Sequence, residues 1–115
     1  MDQTPVPEEI ERWTRNELDS AYAEMTRVGP ILDLHKGDQA SWARHLIETL
    51  RAVEERSSRV RQLLEAWAVT DDVLPLATVA RASKVTPNGM RKRITSPGVR
   101  ETWAEVLPDR EPPSA

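Results

Sequence analysis

The stretch from Asp38 to about Val69 reads as one helix of roughly 31 residues, about 46 Å long at 1.5 Å per residue. Asp38 has the chemistry of its N-cap. Apolar side chains recur at Leu46, Leu50, Val53, Val60, Leu64 and Trp67 in steps of three and four, with Ser57 interrupting the series once. That is a heptad seam of two or three repeats. The opposite face, within RAVEERSSRVRQ, carries Glu and Arg at spacings that stabilise an exposed helix modestly. A helix this long cannot bury its seam alone. Either a preceding helix folds back on it, another subunit supplies the partner, or hairpins of this kind dimerise.

The chain holds a candidate for the first solution. From about Pro7 to Val28, Ile10, Trp13, Leu18, Tyr22, Met25 and Val28 form one helical stripe. Pro7 suits the first turn, and Glu8, Glu9 and Glu11 complement a helix N-terminus. Gly29-Pro30 is expected to end this helix, leaving 31–37 as a short connector. Residues 1–6 and 108–115 are Pro-rich and polar and are expected as disordered tails. The reading is all-α: a helical hairpin or coiled-coil arm over 7–58, then a compact helical domain over 59–107.

Composition narrows the function classes. With no Cys, disulfides, thiolate metal sites and cysteine nucleophiles are excluded. The acidic start MDQTPVPEEIE has no apolar core of a secretory signal, and no apolar run approaches the roughly 18 residues of a membrane span. A soluble, cytoplasmic protein is expected. The spacing of His35 and His45 matches no metal-ligand pattern; His35 reads as a loop residue and His45 as surface. The glutamates read as helix-face charges, and the four scattered glycines form no phosphate loop. No enzyme activity, cofactor or metal is expected.

The net charge of −3 hides an asymmetry. Residues 1–69 carry nine cations and thirteen anions, whereas 70–100 carry six cations (Arg81, Lys84, Arg91, Lys92, Arg93, Arg100) against two anions. A polyanionic partner would meet that basic segment. Its centre, KVTPNGMRKRI, permits two structures. Thr86-Pro87-Asn88-Gly89 has the chemistry of a tight turn. Equally, Thr86 caps a helix opened by Pro87. The upstream residues decide between them. Leu76, Val79, Ala80 and Ser83 share a face at i, i+3, i+4 and i+7, a helical period that leaves no strand for a hairpin to pair. Val85 follows, and then Met90 and Ile94 lie four apart. Two short helices meeting at a small residue, Ala80, have the spacing of a helix-turn-helix. A last helix from Ser96 to Leu107, with Val99, Trp103 and Leu107 on one face, closes the core beneath it.

At Pro75, Leu76, Val79, Ala80, Arg81, Ala82, Val85, Thr86, Met90 and Ile94 the chain resembles small actinobacterial-type helix-turn-helix DNA-binding proteins with an N-terminal helical arm. The likeness covers about 30 residues. Three positions depart from the family pattern. Lys84 stands where a turn Gly is usual, Gly89 lies inside the second helix, and Arg93 replaces an apolar residue. The resemblance implies double-stranded DNA as partner, a homodimer, and a role as a small transcriptional regulator or a plasmid or phage accessory factor. It also assigns roles. Thr86 and Asn88 stand at a helix N-terminus that attracts phosphate. Arg91 and Lys92 point outward toward bases or phosphates, with Arg93 beside them. Gly89 permits close approach, and Arg81 and Lys84 neutralise the backbone. The alternative expectation is an interaction module acting through the long helix.

Overall fold

The computed structural model describes residues 5–114, and these are all-helical with no strand. Six helices follow one another: α1 (Glu8–Thr26), α2 (Val28–His35), α3 (Gln39–Thr70), α4 (Leu76–Ala82), α5 (Pro87–Ile94) and α6 (Pro97–Val106). They form two compact units. The arm comprises residues 11–58; the head comprises the segment up to Ile10 together with everything from Arg59 onward. No helix among the described residues is long and apolar enough to cross a membrane.

In the arm, α1 passes into α2 through Arg27 alone. Gly29 and Pro30 lie in the first turn of α2 and do not end α1 as expected from the sequence, so the segment 31–37 is largely helix. Proline fits there because the first N–H groups of a helix have no intrahelical acceptor. Asp38 caps α3: its Oδ1 accepts from the amides of Ala40 (3.1 Å) and Ser41 (3.4 Å), and its Oδ2 from the Ser41 hydroxyl (2.8 Å). The Ser41 hydroxyl, then the Ser41 amide, hold the Asp38 carboxyl below its ordinary pKa. Arg56 on α3 donates to Glu17 (2.9 Å) and Glu24 (3.4 Å) on α1, while the His35 and His45 rings stack with centroids 4.5 Å apart. Later residues of the first limb thus meet earlier residues of α3, so the limbs run antiparallel. His35 ends α2 and is not in a loop.

In the head, α3 is buried over most of its circumference. Val60, Leu63, Ala66 and Ala68 are enclosed, whereas Leu64 and Trp67 of the expected seam are half-buried. A single seam undercounts this burial because the head wraps the helix on more than one side. Val79 and Ala80 from α4, Met90 and Ile94 from α5, and Val99, Trp103 and Leu107 from α6 and its end complete the core.

Residues 108–114, expected to form a disordered tail, pack onto the head. Trp103 Nε1 donates to the Arg110 carbonyl (3.1 Å), Arg100 Nη2 donates to the Pro113 carbonyl (3.1 Å), and Pro113 is buried. Asp71 Oδ2 accepts from both Trp67 Nε1 (3.0 Å) and Arg110 Nη2 (2.7 Å). A segment with three prolines loses little chain entropy on ordering, and the Trp103 and Arg100 donors bond its carbonyls. Residues 1–4 and 115 of the expected tails lie outside the described residues.

Candidate nucleic-acid interface

The turn between α4 and α5 is built from a local hydrogen-bond pattern. Val85 N donates to Ala80 O (3.0 Å) and Lys84 N to Arg81 O (3.1 Å). These are the two bonds of a Schellman cap, which needs a left-handed residue at the position Lys84 fills. Lys84 has φ 58°, the left-handed conformation this cap requires. This costs of order 1 kcal/mol for a side chain with a Cβ. The end of α3 repeats the motif: Val73 N bonds Ala68 O and Asp72 N bonds Val69 O, with Asp72 at φ 55°.

Beyond Lys84 the chain bends at Val85, is extended at Thr86, and enters α5 at Pro87. Thr86 is its N-cap, with Oγ1 accepting from Gly89 N at 3.0 Å. Asn88 and Gly89 therefore lie inside the helix, and the turn reading of TPNG is excluded. Gly89 has a local role besides any approach to a ligand. A Cβ there would sit 3.1 Å from the Thr86 hydroxyl oxygen and press on the cap.

Met90 and Ile94 point inward and are buried, which turns Asn88, Arg91 and Lys92 to solvent. Arg91 Nη1 donates to Asn88 Oδ1 at 3.2 Å, so the two exposed side chains are held together on the first turn. Thr95 Oγ1 donates to the carbonyls of Arg91 and Lys92, closing the other end of α5. Arg81 is exposed on α4, and Lys84 is exposed in the turn. The structure thus groups Thr86, Asn88, Gly89, Arg91 and Lys92 on α5 and its cap, with Arg81 and Lys84 on the adjoining element. No carboxylate occurs in α4, the turn or α5.

Arg93 is a correction. It does not join the outward cations but turns onto α3, where its Nε donates to Glu65 Oε1 (2.9 Å) and its Nη2 to Glu65 Oε2 (2.5 Å). Glu65 is 5% exposed and also accepts from the Ser83 hydroxyl. One buried carboxylate therefore ties α3 to the end of α4 and to α5, and it is not a helix-face charge. The guanidinium fork suits this bidentate geometry. Arg61, with Nε 3.9 Å from Glu65 Oε2, brings further positive charge near. The apolar setting of Glu65 within LLEAW and the departure at Arg93 were the two sequence signals for this pair. Arg100, the sixth cation of the basic segment, serves the C-terminal segment instead.

The arrangement supplies four outward cations around a capped helix N-terminus, which suits contact with a polyanion and offers no acid–base or nucleophilic constellation. Among the described residues no group of three or more His, Asp or Glu is placed to hold a metal. Comparison with protein families, curated proteins and solved structures finds no match to this chain.

Proposed function

We propose that the protein is a sequence-specific double-stranded DNA-binding protein, a small transcriptional regulator or a plasmid or phage accessory factor, acting as a homodimer with α5 as the recognition helix. The observation that carries this reading is the division of α5. Met90 and Ile94 anchor it in the core, while Asn88, Arg91 and Lys92 face solvent from a helix free of acidic residues. In a DNA complex, Arg91 and Lys92 reach base edges or phosphates from the major groove, an Arg bidentate to guanine being the commonest specific contact. The Thr86-capped N-terminus approaches a phosphate. Arg81 and Lys84 set position without reading sequence. Two copies present their α5 helices to half-sites about one duplex turn apart.

Selection from a random DNA pool, followed by titration across salt concentrations, tests this. Binding should weaken steeply with salt, with a log–log slope near −0.9 for each phosphate neutralised. Arg91→Ala/Lys92→Ala should abolish selection of a motif while leaving helicity unchanged. A double variant that binds as the wild type does removes α5 from the interface.

A second reading, a helical interaction module, has its own observation. Large apolar side chains are exposed on the arm, Tyr22 at 72% and Ile47 at 65% among them. A chain that selects no DNA but captures a partner through this face would establish it.

A further inference from the structure

On α5, Asn88 and Arg91 are exposed and share a face at i and i+3, and Arg91 Nη1 donates to Asn88 Oδ1 at 3.2 Å. A guanidinium carries only donors, so the amide meets it through its oxygen alone. That contact sets what each group still offers to a ligand. Asn88 keeps its Nδ2 donor but has Oδ1 turned to Arg91, and a bidentate contact with adenine needs both ends of the amide at the base edge. Arg91 keeps Nε and Nη2, which have no partner among the described residues. These are the same two nitrogens with which Arg93 holds both oxygens of Glu65. The open edge of Arg91 is therefore a fork for two acceptors lying side by side.

Guanine is the base that presents two adjacent acceptors, N7 and O6, in the major groove; adenine sets a donor beside its N7, and thymine a methyl group beside its O4. Reaching a base with Arg ordinarily costs the rotamer freedom of a long side chain. Here the Asn88 bond holds the guanidinium beforehand, on a helix with no carboxylate to capture it instead. Lys92, at the next position, ends in an ammonium, a point charge that fits a phosphate and has no planar fork. Resting on the DNA-binding function proposed above, we propose that Asn88 is a positioning residue that presents Arg91 to one guanine in each half-site, while Lys92 contacts the phosphate backbone. Asn88 thus favours a G·C pair without reading a base itself.

Selection from a random DNA pool by the full chain, then titration of the selected site and of the same site with the G·C pair changed to A·T, tests this. The wild type should favour G·C at one position of each half-site by about 10- to 100-fold. Arg91→Ala should abolish that preference. Asn88→Ala removes no charge and should cut the preference about fivefold at that position alone, with helicity, salt slope and the rest of the motif unchanged. In the Arg91→Ala background the same substitution should cost nothing further, because the group it positions is gone. Lys92→Ala should weaken binding to all sequences alike and flatten the salt slope by about 0.9. An Asn88→Ala variant that discriminates as the wild type does overturns the proposal and leaves DNA binding by α5 in place. So does an equal loss in both backgrounds, or a preference for A·T that depends on Asn88, which makes Asn88 the reader. A wild type that selects no motif removes the DNA-binding function and this assignment together.

Discussion

Replacing Arg93 by Met should be far more damaging alone than together with Glu65→Met. In the single variant the Glu65 carboxylate, 5% exposed, keeps the Ser83 hydroxyl and the distant Arg61 but loses both guanidinium bonds. Removing one partner of a buried ion pair costs about 3–5 kcal/mol. The Arg93 side chain is itself 23% exposed, which admits some water and places the loss near the lower end, about 3 kcal/mol. For a domain of this size that lowers the melting temperature by roughly 10–20 °C. Glu65→Met/Arg93→Met removes both charges and fills the space with apolar atoms. It should lie within about 1 kcal/mol of the wild type, the remaining cost being the stranded Ser83 hydroxyl. Urea unfolding followed by far-UV circular dichroism measures both. Because the Arg93 guanidinium is turned onto Glu65, the paired variant should also bind DNA at wild-type affinity. A single variant as stable as the wild type, or a paired variant no better than the single one, would refute the clamp. A stable pair that has lost DNA binding would return Arg93 to the interface.

Lys84→Gly should raise stability by no more than about 0.5 kcal/mol, the relief of φ 58° less the greater freedom of glycine in the unfolded chain, and should weaken DNA binding by deleting one cation; calorimetry and salt-dependent titration separate the two opposite effects. Thr86→Ala removes the acceptor for the Gly89 amide and should cost about 1 kcal/mol, seen also as faster hydrogen exchange at Gly89. Asp38→Ala should fray the start of α3. In the wild type the carboxyl pKa is lowered by folding, so its stabilisation is full above the ordinary aspartate value of about 3.9 and is lost as pH falls through the lower folded value. Amide exchange at Ala40 and Ser41 across that window should respond to pH in the wild type and not in the variant.

Much of the head was legible because its signals are local. Val79, Ala80, Met90 and Ile94 sit at helical spacings, Thr86 and Pro87 mark a helix start, and Lys84 had to be left-handed once α4 and α5 were placed. The Glu65–Arg93 pair was hidden because it joins positions 28 residues apart, and a glutamate in a helix ordinarily faces water. Gly29-Pro30 misled because proline is tolerated at a helix start as readily as it follows a helix end. Residues 108–114 looked like a tail because what holds them, Trp103, Arg100 and Asp71, lies elsewhere in the sequence. For the long helix, heptad spacing showed that a partner was required but not how many sides would be covered.

The four tryptophans divide evenly, Trp13 and Trp42 in the arm and Trp67 and Trp103 in the head. Trp103 is 1% exposed, and its indole N–H is spent on the Arg110 carbonyl. The residue that completes the core is thus also an optical probe of the chain's last turn. Lifting residues 108–114 would hydrate this ring and shift its emission to the red while α3 to α6 stayed folded. In a variant keeping Trp103 alone, fluorescence would follow the fastening of that segment while far-UV circular dichroism followed the helices, timing the two events independently in one sample.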